Sequence, residues 1–278
     1  MSSEGSADRT PQIIPAPNGL PLLRAALFEG GPLAHGFTTR LGGDSAPPFA
    51  TLNLGRAVGD RPEHVAANRR RVLEALGRDP DGHVEAAQVH GRSVAVVDAG
   101  HRGTKVAGAD ALVTSDPAVT LAIHVADCVP LLFWDPPRGI VGAAHAGWRG
   151  TAAGVGRAVV ETMQRIFGTD PGDLRAALGP AIGPDHYEVD WPVADAFAHW
   201  PWASEVLRPG RPGHWWLDLV EANRRALVAV GVPPGQIWAS GLCTVCRPDL
   251  FFSYRREATT GRMGALVGLL APGFHLAP

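Results

Sequence analysis

Cysteine is scarce in this sequence. Among 278 residues only three cysteines occur, Cys128, Cys243 and Cys246. A small, odd number argues against the disulfide framework of a small secreted protein and favours a reducing compartment. An excess of one charge is also missing, because 25 lysines and arginines stand against 27 aspartates and glutamates. A nucleic-acid-binding domain normally needs a basic surface, so nucleic acid is not expected as a partner.

Long hydrophobic runs are missing as well. The most apolar stretch, residues 119–134, is interrupted by His124 and Asp127 and falls short of a membrane span, which needs roughly 18 consecutive apolar residues. The first residues lack the basic start and apolar stretch of a signal peptide, and their polar, proline-punctuated composition predicts a disordered tail over residues 1–17. We therefore expect no membrane contact and a cytoplasmic protein.

The sequence does contain enough apolar material for one large core, since 45% of its residues are hydrophobic. The 34 glycines and 25 prolines are scattered without a period, which indicates the turns of a loop-rich mixed α and β protein. No internal repeat, composition shift or long linker divides the chain. Residues 18–278 are therefore interpreted as a single domain.

Hydrophobic periodicity predicts the main secondary structure. A capping-box pattern at residues 60–63 begins a helix that Gly77 ends, and a second helix is expected over about residues 151–167. Residues 198–213, rich in tryptophan and proline, lack periodicity and are interpreted as a surface excursion. Short apolar runs predict buried strands at residues 93–97, 111–114, 120–125, 129–134 and 140–144.

Three residues suited to metal binding lie at the ends of such apolar runs. His90 stands in Gln-Val-His-Gly, Cys128 in Ala-Asp-Cys-Val-Pro, and His145 in His-Ala-Gly-Trp-Arg-Gly. Side chains at strand ends converge on the rim of a sheet. Two imidazoles and one thiolate suit zinc, and three protein ligands leave one tetrahedral position open, as in catalytic sites. Because no two of the three have the short spacing of a zinc motif, a buried apolar cysteine with two hydrogen-bonded histidines stays an alternative.

Seven short motifs together resemble the YfiH/YlmD family, also called the laccase-domain or polyphenol oxidase family. They follow the family's order at residues 37–43, 52–55, 68–70, 88–91, 126–130, 145–150 and 252–256. The combination of Ala-Asp-Cys-Val-Pro with His-Ala-Gly-Trp-Arg-Gly is the most specific part. The resemblance implies an α+β protein with four layers, α/β/β/α, built on two mixed β-sheets.

The resemblance also implies a function. It implies a purine nucleoside phosphorylase acting on adenosine, inosine and methylthioadenosine, with accompanying adenosine deaminase activity, so purine nucleosides and phosphate are the expected ligands. Residues 18–278 would then form one catalytic domain, in which the positions matching His90, Cys128 and His145 hold a metal ion. We expect that ion to be zinc, and the protein to be a monomer or a homodimer.

The family's older name suggests copper, which the histidines do not support. Multicopper oxidases need paired His-x-His arrangements, and no two of the 11 histidines here are separated by one residue. A single copper ion could still occupy the three ligands in vitro, because copper outcompetes zinc at such donors.

Other residues are candidates for the chemistry that this function needs. Arg40 and Arg255 are candidates for contacts to phosphate or ribose, because arginine offers a bidentate fork, although both would serve equally as surface charges. Asn53 is a candidate for orienting a hydroxyl group. Asp127, beside Cys128, is a candidate general acid or base, or a carboxylate that orients a metal-bound histidine.

Two functions of other classes stay open. In a metal-free cysteine hydrolase, Cys128 would be the nucleophile and His145 its base. In a non-enzymatic purine-binding module, the same pocket would serve regulation. In the metal-dependent interpretation, Cys128 and His145 are catalytic through the metal that they hold.

Two further patterns are set aside. His83 and Glu85 together with Cys243 and Cys246 imitate the two halves of the zinc nucleobase deaminases, but the halves lie too far apart in the chain. The cysteine pair is interpreted as two small residues at a packed strand end. His124 is interpreted as a hydrogen-bonded strand histidine rather than a metal ligand.

Overall fold

The computed structural model describes residues 11–271. No helix in this range combines the length and the apolar composition needed to cross a membrane. The helices are α1 (Pro62–Ala75), α2 (Trp148–Ala152), α3 (Val155–Phe167), α4 (Trp191–Ala198), α5 (Ala203–Val206), α6 (Leu219–Ala229) and α7 (Tyr254–Glu257). The strands are β1 (Gln12–Pro15), β2 (Pro21–Arg24), β3 (Leu33–Thr38), β4 (His83–Ala86), β5 (Val94–Val96), β6 (Lys105–Val106), β7 (Ala111–Thr114), β8 (Thr120–Val125), β9 (Val129–Asp135), β10 (Ile140–Ala146), β11 (Arg175–Leu178), β12 (Glu188–Asp190), β13 (Leu207–Pro209), β14 (His214–Leu217), β15 (Ile237–Ala239) and β16 (Met263–Leu269).

Two large sheets carry the architecture, and both are mixed. The first has the order β1-β2-β3-β16-β8-β4-β6, antiparallel as far as β8, with β4 and β6 added in parallel. The second has the order β15-β11-β9-β10-β7-β5, with parallel pairs at its two edges. A small antiparallel sheet, β12-β14-β13, is added outside them. The predicted pair of mixed sheets is confirmed.

The two large sheets face each other across one hydrophobic core. Phe37 of β3 and Val267 of β16 meet Leu132 of β9 in this core. On the outer face of the first sheet, Leu73 of α1 is buried, and on the outer face of the second, Val159 of α3 is buried. The result is the predicted order of four layers. Truncating a fully buried phenylalanine in such a core typically costs about 3–5 kcal/mol.

The predicted strands agree with the observed ones to within two residues, because continuous apolar runs are buried on both faces of the sheets. Helix α1 also forms as expected before Gly77, which has a left-handed φ of 63°. The expected capping box is wrong. Arg61 caps the helix without a side-chain hydrogen bond, while the Asp60 carboxylate accepts hydrogen bonds from Ser45 and Asn53.

The helix predicted over residues 151–167 begins earlier and is divided in two. Gly154 separates α2 from α3 with a φ of 80°, a conformation that glycine adopts without the strain other residues would meet. The division lets α2 start directly after β10, so that residues 145–150 form a tight strand-to-helix turn.

The segment 198–213 lies mainly at the surface, as predicted, but it is not without regular structure. It contains α5 and β13, and Val206 is buried. The rings of Trp200 and Trp202 pack edge to face with centroids 5.5 Å apart, and Trp200 packs in the same way on Phe197. Contacts between aromatic rings hold this segment in place, so its apolar residues do not show the regular spacing from which a helix or strand is predicted.

The prediction of a disordered tail is wrong for part of its range. Residues 12–15 form β1, which pairs antiparallel with β2 at the edge of the first sheet. Main-chain hydrogen bonds to an existing sheet edge order a stretch whose composition alone favours disorder. Residues 1–10 lie outside the described part of the chain.

Candidate metal centre

Three segments distant in sequence bring His90, Cys128 and His145 together. Cys128 lies in the short connection through which the chain passes from β8 in the first sheet to β9 in the second. His145 lies on β10, opposite Pro130 of β9, and His90 lies in the turn after β4. Their potential ligand atoms all lie within 4.8 Å of one another. The predicted cluster, here called the first cluster, therefore forms at one end of the sandwich.

The turn that carries His90 is strained and is held by one carboxylate. His90 has a φ of 62°, a left-handed conformation that costs most residues roughly 1–2 kcal/mol. The backbone N–H groups of Val89, His90 and Gly91 all donate to the Asp110 carboxylate, at 3.1, 2.9 and 2.7 Å. These three hydrogen bonds to an anion offset the strain and fix the position of the His90 ring.

Asp110 also orients the second histidine. Its carboxylate lies 3.0 Å from Nδ1 of His145, and both side chains are buried. Burial acts to raise the pKa of Asp110, but hydrogen bonds from His145, Gly91 and Val89 outweigh it and leave the pKa lowered. The anionic carboxylate therefore holds Nδ1 and leaves Nε2 of His145 for the cluster, as with metal-bound histidines generally.

Asp110 was missed by the sequence analysis. Its only local signal is its place directly before the apolar run of β7, where an aspartate equally serves as an ordinary turn residue. Its role depends on the pairing of β7 with β10, which is a long-range contact.

The thiol and imidazoles of the first cluster favour an anionic sulfur. Burial acts to raise the pKa of Cys128, but hydrogen bonds from His145 and His90 outweigh it and lower the pKa to about 6. Burial conversely acts to lower the pKa of His145, but its hydrogen bonds to Asp110 and Cys128 raise it to about 9. Both shifts favour a thiolate paired with an imidazolium.

Gly147 keeps the space beside these ligands free. A Cβ atom at residue 147 would lie 3.1 Å from both Sγ of Cys128 and Cδ2 of His90. His145 is buried while His90 is exposed, so the cluster is open to solvent on the His90 side. One thiolate and two imidazoles form a donor set that suits a zinc ion, and glycine at residue 147 leaves these ligands uncrowded.

Asp127 lies beside the cluster but does not orient the histidine. Its carboxylate accepts hydrogen bonds from Oγ1 of Thr244 at 2.6 Å and from the backbone N–H of Arg255 at 2.7 Å. The interpretation of Asp127 as the orienting carboxylate is wrong, because Asp110 makes that hydrogen bond. Asp127 instead ties the Cys128 connection to residues 244–255.

Two of the predicted substrate contacts are engaged within the protein. Asn53 is fully buried, and its amide pairs with Gly55, Asp60 and Arg262 within the protein. The guanidinium of Arg40 forms an ion pair with Glu257 at 3.0 Å, donates to the carbonyls of residues 50 and 248, and covers the ring of residue 252. These contacts give Arg40 a role in positioning the loops.

Arg255 is exposed, and its backbone N–H donates to the Asp127 carboxylate next to Cys128. Its Nη1 donates to the carbonyl of Glu188 at 3.0 Å, and its guanidinium lies 5.0 Å from the ring centroid of Tyr187. Burial raises the pKa of Tyr187, and the charge of Cys128 adds to the rise, while Arg255 and Arg149 oppose it. Both arginines therefore lie within electrostatic range of the same tyrosine.

Arg262 is a further cation that the sequence analysis missed. Burial lowers the pKa of Arg262, and the negative charges of Cys128 and Asp127 act in the opposite direction. Its guanidinium lies 6.0 Å from the ring centroid of Tyr254. No local motif around residue 262 sets it apart from a surface arginine, since its proximity to Cys128 results from the pairing of β16 with β8.

His83 and His124, which the sequence analysis did not include among the metal ligands, lie outside the first cluster. His83 and His124 are 3.2 and 3.7 Å from the Glu85 carboxylate, which also pairs with Arg69. Burial and the nearby Arg69 lower the pKa of His124 to about 3, so it is neutral. The interpretation of His124 as a strand histidine outside the metal cluster agrees with this ion-pair network.

Comparisons with known proteins identify the family. Residues 34–270 match the family described as "Multi-copper polyphenol oxidoreductase laccase". A purine nucleoside phosphorylase of Deinococcus radiodurans is 47% identical over 252 residues, covering 90% of this chain and 94% of the relative. Purine nucleoside phosphorylase YlmD of Geobacillus stearothermophilus is 45% identical over 243 residues, covering 84% and 89%.

A solved structure agrees with both sequence comparisons. The crystal structure of the hypothetical protein YfiH from Bacillus licheniformis superposes with a TM-score of 0.87 at 39% identity, covering 93% of this chain and 98% of that chain. Fold and sequence therefore match over nearly the whole length. The chain belongs to the YfiH/YlmD family of laccase-domain proteins.

Proposed function

We propose that the chain is a zinc-dependent purine nucleoside phosphorylase that acts on adenosine, inosine and methylthioadenosine and also deaminates adenosine. The observation that carries the proposal is the convergence of the His90, Cys128 and His145 ligand atoms within 4.8 Å of one another, with the Asp110 carboxylate hydrogen-bonded to His145. The names of the curated relatives support the reaction class. We also propose a cytoplasmic monomer or homodimer.

The donor set of the first cluster favours zinc over the multicopper chemistry of the family description. The three ligands suit one ion, and the absence of His-x-His pairs in the sequence argues against paired copper sites. Zinc bound here would supply Lewis acidity toward the substrate. Asp110 would hold His145 in the ligating orientation, and the thiolate form of Cys128 is already favoured at neutral pH.

The chain's cations would serve the phosphate. In phosphorolysis a phosphate oxygen forms a bond to the anomeric carbon of the ribose, the bond from that carbon to the purine nitrogen breaks, and the purine leaves with a proton. Arg149 and Arg255 act electrostatically on Tyr187, as Cys128 does, and Arg262 interacts with the charges of Cys128 and Asp127, so these three arginines are the candidates that would bind the phosphate dianion. In deamination water adds to the purine carbon that bears the amino group, and ammonia leaves.

Product analysis tests this proposal. Zinc-loaded protein is incubated with inosine or adenosine, with and without inorganic phosphate, and the free base, ribose 1-phosphate, ribose and ammonia are quantified. We expect ribose 1-phosphate only with phosphate, and ammonia from adenosine in either case. Free ribose formed at the same rate without phosphate would make the protein a hydrolase, and no turnover of any nucleoside would favour a purine-binding regulatory module.

A metal-free cysteine hydrolase is the second candidate, and one observation favours it. Cys128, His145 and Asp110 form a series in which the Cys128 sulfur and a His145 ring nitrogen lie within 4.8 Å and the Asp110 carboxylate orients His145 at 3.0 Å. The pKa shifts of Cys128 and His145 favour a thiolate and an imidazolium. Such a series also activates a cysteine nucleophile. Chelation separates the two candidates, because it would abolish zinc-dependent turnover and leave a thiol hydrolase active.

A further inference from the structure

A second group of metal-ligating side chains lies outside the first cluster. His186, in the connection between β11 and β12, lies beside Cys243 and Cys246, and the potential ligand atoms of the three are within 4.8 Å of one another. Both cysteines carry free thiols. These three residues are called the second cluster.

The distances within the second cluster match those around a tetrahedral ion. Sγ of Cys243 and Sγ of Cys246 lie 3.7 and 3.6 Å from the same atom, Nδ1 of His186. A zinc ion with its usual bond lengths to sulfur and nitrogen, at a tetrahedral angle, separates the two donors by about 3.6 Å. One ring nitrogen has a single hydrogen or a single lone pair, so it cannot form full hydrogen bonds to both sulfurs. A cation shared by the three side chains would account for both contacts.

The backbone around the second cluster is arranged to support a thiolate. The N–H of Gly183 donates to Sγ of Cys243 at 3.2 Å, and hydrogen bonds join residue 181 to residues 242 and 244. The two cysteines are separated by two residues, the spacing by which zinc sites place two sulfurs on one turn. The site opens into a cleft of about 350 Å³ that Asp185 also lines, so a fourth ligand can enter from solvent.

From these observations we propose that His186, Cys243 and Cys246 bind a second zinc-like divalent cation, with a structural role. The ion would join the turn 243–246 to the loop 181–186. Thr244, between the two cysteines, donates to Asp127, and the Arg255 guanidinium donates to the carbonyl of Glu188. Loss of the ion would therefore loosen the loops behind the first cluster. Binding at the second cluster does not depend on the proposed enzymatic function.

Cobalt(II) is the probe for counting both sites in the purified full chain under reducing conditions. Thiolate-to-cobalt absorption grows with the number of sulfur ligands, which is one for the first cluster and two for the second. We expect two equivalents in the wild type. A Cys243→Ser/Cys246→Ser variant should bind one equivalent with about one third of the absorption, and Cys128→Ser should bind one with about two thirds.

Two further variants keep the test decisive. If the double variant fails to fold, His186→Ala retains both thiols and should bind cobalt at the second cluster at least tenfold more weakly. His199→Ala removes an exposed histidine outside both clusters and should bind two equivalents. The proposal is overturned if the wild type binds a single equivalent that Cys128→Ser abolishes, or if Cys243 and Cys246 form a disulfide under reducing conditions.

Discussion

The two clusters use the same kinds of donor in different settings. The first draws one ligand from each of three separate segments, has a carboxylate behind His145, and is open at His90. The second has two sulfurs on one turn and an imidazole facing both. The second cluster therefore joins one turn to one loop, whereas the first draws on three segments and is open to solvent at His90. This contrast is the reason for proposing catalysis at the first cluster and structural support at the second.

Removing the exposed ligand of the first cluster should have the largest effect. We expect His90→Ala to lower kcat/KM for inosine phosphorolysis by about 10²-fold or more, because two ligands hold zinc weakly. Metal analysis should show one zinc equivalent remaining at the second cluster. If the His90→Ala variant kept both zinc equivalents and full activity, His90 would not be a ligand of a catalytic zinc, and the proposed difference between the two clusters would be wrong.

Neutralising the orienting carboxylate should have the next largest effect. Asp110→Asn retains the size of the side chain but replaces the anion that accepts hydrogen bonds from His145 and the turn 89–91. We expect zinc affinity at the first cluster to fall about 10- to 100-fold. A competition titration with a chelator measures this, and the second cluster serves as the internal control. Equal weakening at both clusters would point to general unfolding instead.

Acid should destabilise the fold through a residue remote from both clusters. Burial, together with the nearby Arg24, lowers the pKa of His35 to about 3. Below pH 6.5 His35 is protonated in the unfolded chain but stays neutral in the folded chain. The contribution of His35 to the unfolding free energy is therefore fully present above pH 6.5 and is lost as the pH falls toward 3. Each such histidine contributes about 1.4 kcal/mol per pH unit.

The matched variant for this acid effect is His35→Gln, which keeps a hydrogen-bonding group near the backbone N–H of Ala25. Denaturant unfolding of metal-free protein between pH 6.5 and 4 should give a shallower loss of unfolding free energy than the wild type. Identical slopes would place the acid sensitivity elsewhere.

The smallest expected effects come from a pair of glycines. A Cβ at Gly147 would crowd Cys128 and His90, and a Cβ at Gly183 would lie 3.2 Å from Cβ and Sγ of Cys243. We expect each alanine variant to weaken metal binding by about tenfold, near 1.4 kcal/mol, at its own cluster only. Isothermal titration of the two variants measures both sites. Weaker metal binding at the second cluster in Gly147→Ala, or at the first cluster in Gly183→Ala, would contradict the contacts described for these glycines.

Sequence reasoning predicted some of this structure well. Continuous apolar runs located β7 and β8 to the residue, and the ends of such runs located His90, Cys128 and His145. Asp110 could not be predicted, because it meets His145 only through the pairing of β7 with β10, and no local sequence pattern predicts that pairing. His186 lies 57 residues before Cys243, so the cysteine pair was interpreted without its third partner. Hydrophobic periodicity predicts local elements, but it does not predict contacts between residues that are far apart in the sequence.

The alkylation rate of each cysteine by iodoacetamide, followed by peptide mass spectrometry alongside zinc content and activity, tests the central claim most directly. With zinc bound, all three cysteines should be protected, because a coordinated thiolate is a poor nucleophile. After chelation Cys128 should react rapidly at neutral pH, since its pKa is lowered to about 6, and exposed Cys246 should become reactive. Rapid alkylation of Cys128 in zinc-loaded protein, with activity lost in step while zinc stays bound, would contradict metal ligation and identify Cys128 as a nucleophile.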